Sequence, residues 1–194
     1  MALTDAQVKE LLTKTNAIRS GHFRLTSGRH SDTYVQCARV CEHPEITNQL
    51  AAEAVNRLPE GFECDLVVAP AVGGIVFGYA IAQALGKRFV FAEREDGVMT
   101  LRRAFEIEPG TKVLVAEDVV TTGGSVGEVI EVVRECGGEV VGVISLIDRG
   151  GDLKFTEPFY PLLTLEVESW EPADCRLCKD DVELYSPGSR RLRK

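Results

Sequence analysis

The stretch KVLVAEDVVTTGGSVGEVIE, residues 112 to 131, decides the fold class of this chain. Val113 to Ala116 form an apolar run that is typical of a buried strand. Glu117 and Asp118 follow the run, and then comes a turn rich in hydroxyl groups and glycine. The pattern after the turn predicts a helix from Val126 to Cys136, which Gly137-Gly138 end. A strand, a loop and a helix in this order indicate one unit of an α/β protein.

Similar units lie on both sides of this stretch. DLVVAPAVGGIVFGYAIAQALG, residues 65 to 86, predicts a short strand, a glycine turn and a helix, and EVVGVISLIDR, residues 139 to 149, predicts another buried strand. Two more helices are predicted, from Thr4 to Ile18 behind a capping box and from Pro44 to Leu58. The predicted fold is therefore α/β, with a mostly parallel central sheet flanked by helices.

Two hairpins are predicted beside this sheet. Residues 21 to 37 alternate polar and apolar side chains around a Ser-Gly turn, which predicts a small N-terminal hairpin. Asp96-Gly97 predicts a second tight turn between strand-like runs. Both hairpins would add antiparallel strands to the predicted fold.

Length and charge limit the possible functions. A chain of 194 residues, 44% of them hydrophobic, can bury one sizeable core, so residues 1–194 are expected to form a single domain. The formal net charge of -8 argues against nucleic acid as a partner. Because the sequence shows neither a signal peptide nor an apolar stretch of membrane-spanning length, we expect no membrane partner and a cytoplasmic protein.

Three predicted strand ends carry unusual chemistry. They lie at residues 69–74, 117–125 and 148–151, and in a parallel sheet they should open on the same edge. The glycines and hydroxyl groups of 121–125, with the unpaired N–H groups of the next helix, suit a phosphate monoester. The two acids before them suit sugar hydroxyls, or a metal held through water. Together these groups favour a ribose phosphate, although an acidic pair before a glycine turn can also simply stabilise a helix N-terminus.

The motif itself resembles a known family. VLVAEDVVTTGGS, residues 113 to 125, resembles the 5-phosphoribosyl 1-diphosphate (PRPP) motif of the type I phosphoribosyltransferases. FRLTSGRHSDTYVQ (23 to 36) is similar to the base-binding hairpin of orotate phosphoribosyltransferases, and SLIDRGG (145 to 151) to their Asp-Arg strand end. The tail CRLCKDDVELYSPGSR (175 to 190) resembles that of one bacterial and archaeal branch of the same family. The resemblance implies the type I phosphoribosyltransferase fold, with a core at about 60–151 and a hood formed by the N- and C-terminal segments.

The resemblance also implies an activity and its cofactor. The chain would be an enzyme that transfers the phosphoribosyl group of PRPP to orotate, with Mg²⁺ bound through PRPP and water near Asp118. The residues implied in PRPP binding are Glu117, Asp118, Val119, Val120, Thr121, Thr122, Gly123, Gly124, Ser125, Ala71, Val72, Gly73, Gly74 and Arg94. Those implied in orotate binding are Thr121, Arg149, Tyr34 and Val35. The implied catalytic residues are Glu117, Asp118, Arg102 and Arg103.

The chain departs from the family pattern in its basic residues. Many members carry lysine where this chain has Thr26 and Gly73, and the usual lysine-rich catalytic loop is replaced by EREDGVMTLRRAF, residues 93 to 105. We expect Arg94, Arg102 and Arg103 to supply the missing positive charge, the last two in a neighbouring subunit's site. The alternative is that these arginines are only solvated side chains on the surface of a hairpin.

The resemblance further implies a homodimer with shared active sites. Two other functions stay open. One is transfer to a purine base, since the purine enzymes share the PRPP motif; the other is a non-catalytic regulator that senses PRPP.

The six cysteines suggest one more site. Cys37 and Cys41 lie four residues apart, and Cys175 and Cys178 form a CxxC pair. Four thiolates could hold a structural zinc if the fold brings the two pairs together. The alternative is that Cys64 and Cys136 are small core residues and that the CxxC pair is a surface turn.

Overall fold

The computed structural model of the protein describes residues 2–25 and 27–187. Its helices are α1 (Asp5–Lys14), α2 (Pro44–Asn56), α3 (Gly74–Leu85), α4 (Gly124–Glu135) and the short α5 (Arg176–Lys179). Its strands are β1 (Ile18–Arg24), β2 (His30–Val35), β3 (Leu66–Pro70), β4 (Arg88–Glu95), β5 (Val98–Leu101), β6 (Lys112–Val120), β7 (Glu139–Asp148) and β8 (Phe159–Thr164). A 3₁₀ helix, Cys37–Glu42, follows β2. No helix in these two described ranges has the length and apolar character needed to cross a membrane.

The main structural element of the fold is a six-stranded central sheet. In the described part of the chain its order is β5-β4-β3-β6-β7-β8, and every neighbouring pair is parallel except β4 and β5. The antiparallel pair turns at Asp96-Gly97, as the sequence predicted. The predicted α/β class with a mostly parallel sheet is therefore confirmed.

The core lies on both faces of this sheet. Val67, Leu114 and Ile144 are buried in a cluster that also contains α1, α2 and α3 side chains. The strand neighbours Leu66, Val68, Val113 and Val115 are buried in a second cluster, with side chains of α4. Because successive side chains of a strand point to opposite faces, apolar strands of this kind need helices on both sides.

The predicted helices begin and end within two residues of the observed ones, except at the end of α1. The capping box is present, with Gln7 N donating to Thr4 Oγ1 at 3.3 Å and Thr4 N donating to Gln7 Oε1 at 2.9 Å. The prediction that the helix continues to Ile18 is wrong. Thr15 ends the helix, Asn16 has a φ of 58°, and Ile18 already begins β1. Ile18 continues the helical spacing only because its buried side chain belongs to the same core cluster.

The N-terminal hairpin forms a separate sheet against the C-terminal segment. β1 and β2 pair antiparallel, with an irregularity between Ser20 and Phe23. Tyr185 N donates to His22 O at 2.8 Å, and Arg24 N donates to Tyr185 O at 2.9 Å. His30 and Trp170 exchange two backbone hydrogen bonds of 2.8 Å. The prediction about Thr26 falls outside the described residues.

Candidate active site

The three strand ends meet at one edge of the sheet, as the sequence predicted. An added Cβ on Gly73 would lie 3.1 Å from Asp118 Oδ1, and one on Gly74 would lie 2.9 Å from Glu117 Oε1. The third loop joins them, because Arg149 N donates to Val120 O at 2.9 Å. The turn after β3 therefore approaches the acids so closely that Gly74 has no space for a side chain.

The loop after β6 forms an open cradle. A cleft of about 270 Å³ is lined by Glu117 and by residues 119–126. Gly123 has a φ of 71°, which favours glycine, and α4 begins directly after it. The first N–H groups of α4 have no partner within the helix and lie at its positive end. Thr121 and Thr122 are exposed beside them, so the residues predicted to bind phosphate lie together on one open surface.

Glu117 and Asp118 lie within the last residues of β6 rather than after it. Glu117 is buried and Asp118 is half-buried, and neither takes part in an ion pair with a described residue. Each accepts a backbone hydrogen bond: Asp118 N donates to Glu117 Oε1 at 3.0 Å, and Val119 N donates to Asp118 Oδ1 at 2.8 Å. Burial and the adjacent Asp118 charge raise the pKa of Glu117 from 4.5 to about 9. The acidic pair thus lacks a positive partner.

Arg149 supplies positive charge on the other side of the site. Its Nε is buried and has no hydrogen-bond partner among the described residues. Burial lowers the pKa of Arg149, and the nearby Cys37 and Tyr34 oppose that effect. Tyr34 in turn lines a cleft of about 450 Å³ together with Asn16, Arg19, Gln36, Arg39, Tyr185 and Pro187. Val35 differs from Tyr34, because its side chain packs against the core cluster and leaves only its backbone for a ligand.

The three arginines of the β4–β5 region lie outside the cradle lining and already have partners. Arg94 pairs with Glu128 at 2.6 Å, and Arg102 pairs with Glu95 at 3.2 Å. Arg103 makes two hydrogen bonds to Glu93, of 2.8 and 3.0 Å. Their expected role toward PRPP therefore requires them to leave these glutamates, and it stays a prediction.

A segment that packs against the cradle loop was missed by the sequence analysis. Lys154 N donates to Thr122 O at 2.9 Å, and the ring of Phe155 lies where a Cβ on Gly123 would be. This segment precedes β8, which was not predicted either. The only signal in the sequence is its position after the Asp-Arg-Gly-Gly strand end, which would have placed it beside the cradle.

The fold does not bring the two cysteine pairs together, so the condition for a four-thiolate zinc site is not met among the described residues. Cys37 and Cys41 lie near the active site, where the charge of Asp118 adds to burial in raising the pKa of both thiols. Cys175 and Cys178 instead lie beside His22 and His30. The sequence did contain a signal that the two histidines lie together. The predicted hairpin places His22 on one strand and His30 on the other.

Comparisons with known proteins agree with this geometry. The family model for the phosphoribosyl transferase domain matches residues 39–174. An orotate phosphoribosyltransferase of Thermotoga maritima is 50% identical over 187 residues, covering 96% of this chain and 100% of the relative. One from Caldanaerobacter subterraneus is 48% identical over 187 residues, covering 96% of this chain and 98% of the relative.

A solved structure supports the same placement. The orotate phosphoribosyltransferase of Mycobacterium tuberculosis, in complex with inorganic phosphate, superposes with a TM-score of 0.67 at 25% identity, over 83% of this chain and 95% of that one. The acidic pair, the glycine cradle after it and the Asp-Arg strand end thus occur in a chain that matches these enzymes over nearly its whole length. The chain belongs to the orotate phosphoribosyltransferases, within the type I phosphoribosyltransferase fold.

Proposed function

We propose that this chain transfers the 5-phosphoribosyl group of PRPP to orotate, releasing diphosphate and orotidine 5'-phosphate for the synthesis of pyrimidine nucleotides. The observation that carries the proposal is the meeting, at one sheet edge, of two acids that have no basic partner among the described residues, an open N–H cradle, and Arg149, whose buried Nε has no described hydrogen-bond partner. A buried polar group without a hydrogen-bond partner costs about 1–3 kcal/mol. A ligand with sugar hydroxyls, a phosphate and a planar anion would satisfy all of them.

The roles at the PRPP side follow from position. The backbone and hydroxyl groups of 121–125 would hold the 5-phosphate, and Ala71 to Gly74 would line the diphosphate. Val119 and Val120 place the cradle at the end of β6. Glu117 and Asp118 would hydrogen-bond the ribose hydroxyls, since each carboxylate keeps oxygen lone pairs beyond the single backbone bond it accepts.

Mg²⁺ fits this acidic pair. Carboxylate oxygens without a basic partner are ligands that a hard cation prefers, often through water. When bound, the ion would neutralise the charge that develops on the leaving diphosphate. Glu117 and Asp118 would meanwhile face the ribose, where positive charge grows as the bond at C1 breaks. No step requires a general base if orotate N1 attacks as a bound anion.

Arg149 and β2 would form the base site. A guanidinium is planar and donates in a fork, which suits the orotate carboxylate or ring. Tyr34 lies close enough to influence the pKa of Arg149, so the end of β2 and the end of β7 border the same space. Thr121, in the loop after β6, and the main chain of Tyr34 and Val35 would complete this site.

A homodimer completes the proposal. Val76 and Tyr79 of α3 are 44% and 61% exposed, which favours a surface covered by a second copy. Arg102 and Arg103 would act in the partner's site after leaving Glu95 and Glu93. We also infer a cytoplasmic location, since none of the six cysteines, all within the described residues, forms a disulfide.

The decisive experiment measures diphosphate release from PRPP and Mg²⁺ with orotate, uracil, adenine, hypoxanthine, guanine and xanthine offered separately. We expect release with orotate alone. Release with a purine would reassign the base, and PRPP binding without any release would indicate a regulator. Arg149→Ala should abolish orotate use while PRPP binding persists, and Arg88→Ala, an exposed arginine of β4, is the matched control.

A further inference from the structure

A second cluster of reactive side chains lies away from the active site, where the N-terminal hairpin meets the C-terminal segment. It consists of His22 on β1, His30 on β2, and Cys175 and Cys178 at the start of α5. One ligand atom from each residue lies within 4.8 Å of the other three. His22, His30 and Cys175 are almost fully buried, at 3%, 5% and 0% exposure.

The distances within the cluster match the edges of a metal-centred tetrahedron. His22 Nε2 lies 3.0 Å from His30 Nδ1, 3.4 Å from Cys175 Sγ and 3.6 Å from Cys178 Sγ, and Cys178 Sγ lies 3.2 Å from His30 Nδ1. Zinc bonds of about 2.0 Å to nitrogen and about 2.3 Å to sulfur give tetrahedral edges of roughly 3.3–3.8 Å. These four distances lie within a few tenths of an ångström of such edges, and the other two are at most 4.8 Å.

The orientation of the His22 ring is also that of a metal ligand. Its Nδ1 lies 2.8 Å from the carbonyl oxygen of Val182, to which it can only donate. A neutral ring that donates from Nδ1 carries its lone pair on Nε2, the atom directed into the cluster. A carbonyl behind a histidine is the usual outer partner of a metal ligand.

The backbone around the four residues holds them in place. Tyr185 N donates to His22 O, and His30 and Trp170 exchange two backbone bonds, so each histidine is fixed to the C-terminal segment. The two cysteines are one helical turn apart at α5, whose four residues are too few for a stable isolated helix. A short helix that presents two thiols to two fixed imidazoles gains its stability from what the side chains bind.

We propose that His22, His30, Cys175 and Cys178 form a structural Zn²⁺ site that joins the hairpin to the C-terminal segment. Two nitrogen and two thiolate ligands in a tetrahedron are typical of zinc, whereas magnesium takes oxygen ligands. Four protein ligands leave no open position for substrate or water, so the ion stabilises the structure and takes no part in phosphoribosyl transfer. The hairpin it holds is the one that carries Tyr34 and Val35.

Metal analysis of the intact protein tests the proposal. We expect about one zinc per chain in protein expressed with zinc and purified without chelator. Cys178→Ser, at the most exposed of the four positions, should lose this zinc, and Cys136→Ser, at a thiol outside the cluster, should keep it. Replacement by Co²⁺ should give the strong visible absorption of a tetrahedral thiolate complex in the wild type and in Cys136→Ser only.

Chelation provides a measurement that does not depend on any variant folding. Removal of the metal should lower Tm by roughly 10 °C, and added Zn²⁺ should restore the original Tm. The size of this shift is that expected for a chain of this length when a ligand is present at about 1,000 times its Kd. Equal zinc content in Cys178→Ser and Cys136→Ser would overturn the proposal. So would metal-free protein whose Tm does not respond to Zn²⁺, or a disulfide between Cys175 and Cys178 in protein purified with zinc. None of these outcomes depends on which base the enzyme uses.

Discussion

Two buried glutamates in this molecule have opposite surroundings. Glu53, on α2, accepts hydrogen bonds from Leu3 N at 2.9 Å and from Arg57 Nε at 3.0 Å. Burial alone would raise its pKa, but the bonds from Leu3 and Arg57 lower it below 4.5. Glu117, at the sheet edge, has only a backbone donor and a second carboxylate beside it, and its pKa is raised to about 9.

The difference separates a completed structural site from one that a ligand completes. Arg57 also donates to Asp5, Leu3 and Leu162, so the chain itself supplies every partner around Glu53. At Glu117 the chain supplies burial and a like charge but no cation. A buried acid without a basic partner is costly to ionise, and such perturbed groups cluster at functional sites.

The largest effect should come from Asp118→Asn. The substitution keeps the shape of the side chain but removes the negative charge that would face the ribose and Mg²⁺. We expect kcat/KM to fall about 10²–10³-fold, as for the loss of one electrostatic contact in a transition state. Steady-state kinetics with PRPP and orotate measures it. Glu63→Gln, an exposed acid of the opposite sheet edge, is the control, and equal rates in the two variants would contradict the assignment.

On the other side of the comparison, Glu53→Ala should reduce stability and leave the chemistry unchanged. Removing one partner of a buried ion pair costs about 3–5 kcal/mol, and the partial exposure of Arg57 places this case at the lower limit, about 3 kcal/mol. Urea unfolding measures the loss, and kcat at low temperature should match the wild type. Glu10→Ala, an exposed acid of α1, should change the free energy of unfolding by less than about 0.5 kcal/mol.

The pH dependence of stability should have opposite signs at the two sites. Because the pKa of Glu117 is about 9 when folded and 4.5 when unfolded, its contribution is fully present below 4.5 and is lost as pH rises toward 9. The contribution of Glu53 is present above 4.5 and is lost as pH falls below that value. Unfolding without Mg²⁺ or PRPP should therefore show a flatter alkaline side in Glu117→Gln and a flatter acid side in Glu53→Gln. The same pH curve in both variants would contradict this account.

The sequence predicted local features of this comparison and missed distant ones. The acidic pair, the cradle and the convergence of three strand ends follow from strand and turn patterns within residues 65–151, and the structure confirms that convergence. The Glu53–Arg57 pair has the local i,i+4 spacing of a helix, but the bond from Leu3 to Glu53 spans 50 positions, which no local pattern shows. The cysteine pairing failed for the same reason, because His22 and Cys175 lie 153 positions apart. Ile18 shows the converse error, since helical spacing also occurs in residues that share a core without sharing a helix.

The smallest effect concerns Gly73, where many related enzymes carry lysine. Its backbone is helical, with a φ of -58°, so lysine is allowed there, and a Cβ would lie 3.1 Å from Asp118 Oδ1. Gly73→Lys should place a cation beside the acidic pair and lower the pKa of Glu117 by about 1 unit or more. Carboxyl carbon NMR titration of the ligand-free protein measures this, with Gly73→Gln as a neutral control of similar size. If both variants leave that pKa at about 9, burial alone sets it and the absent cation does not distinguish Glu117 from Glu53.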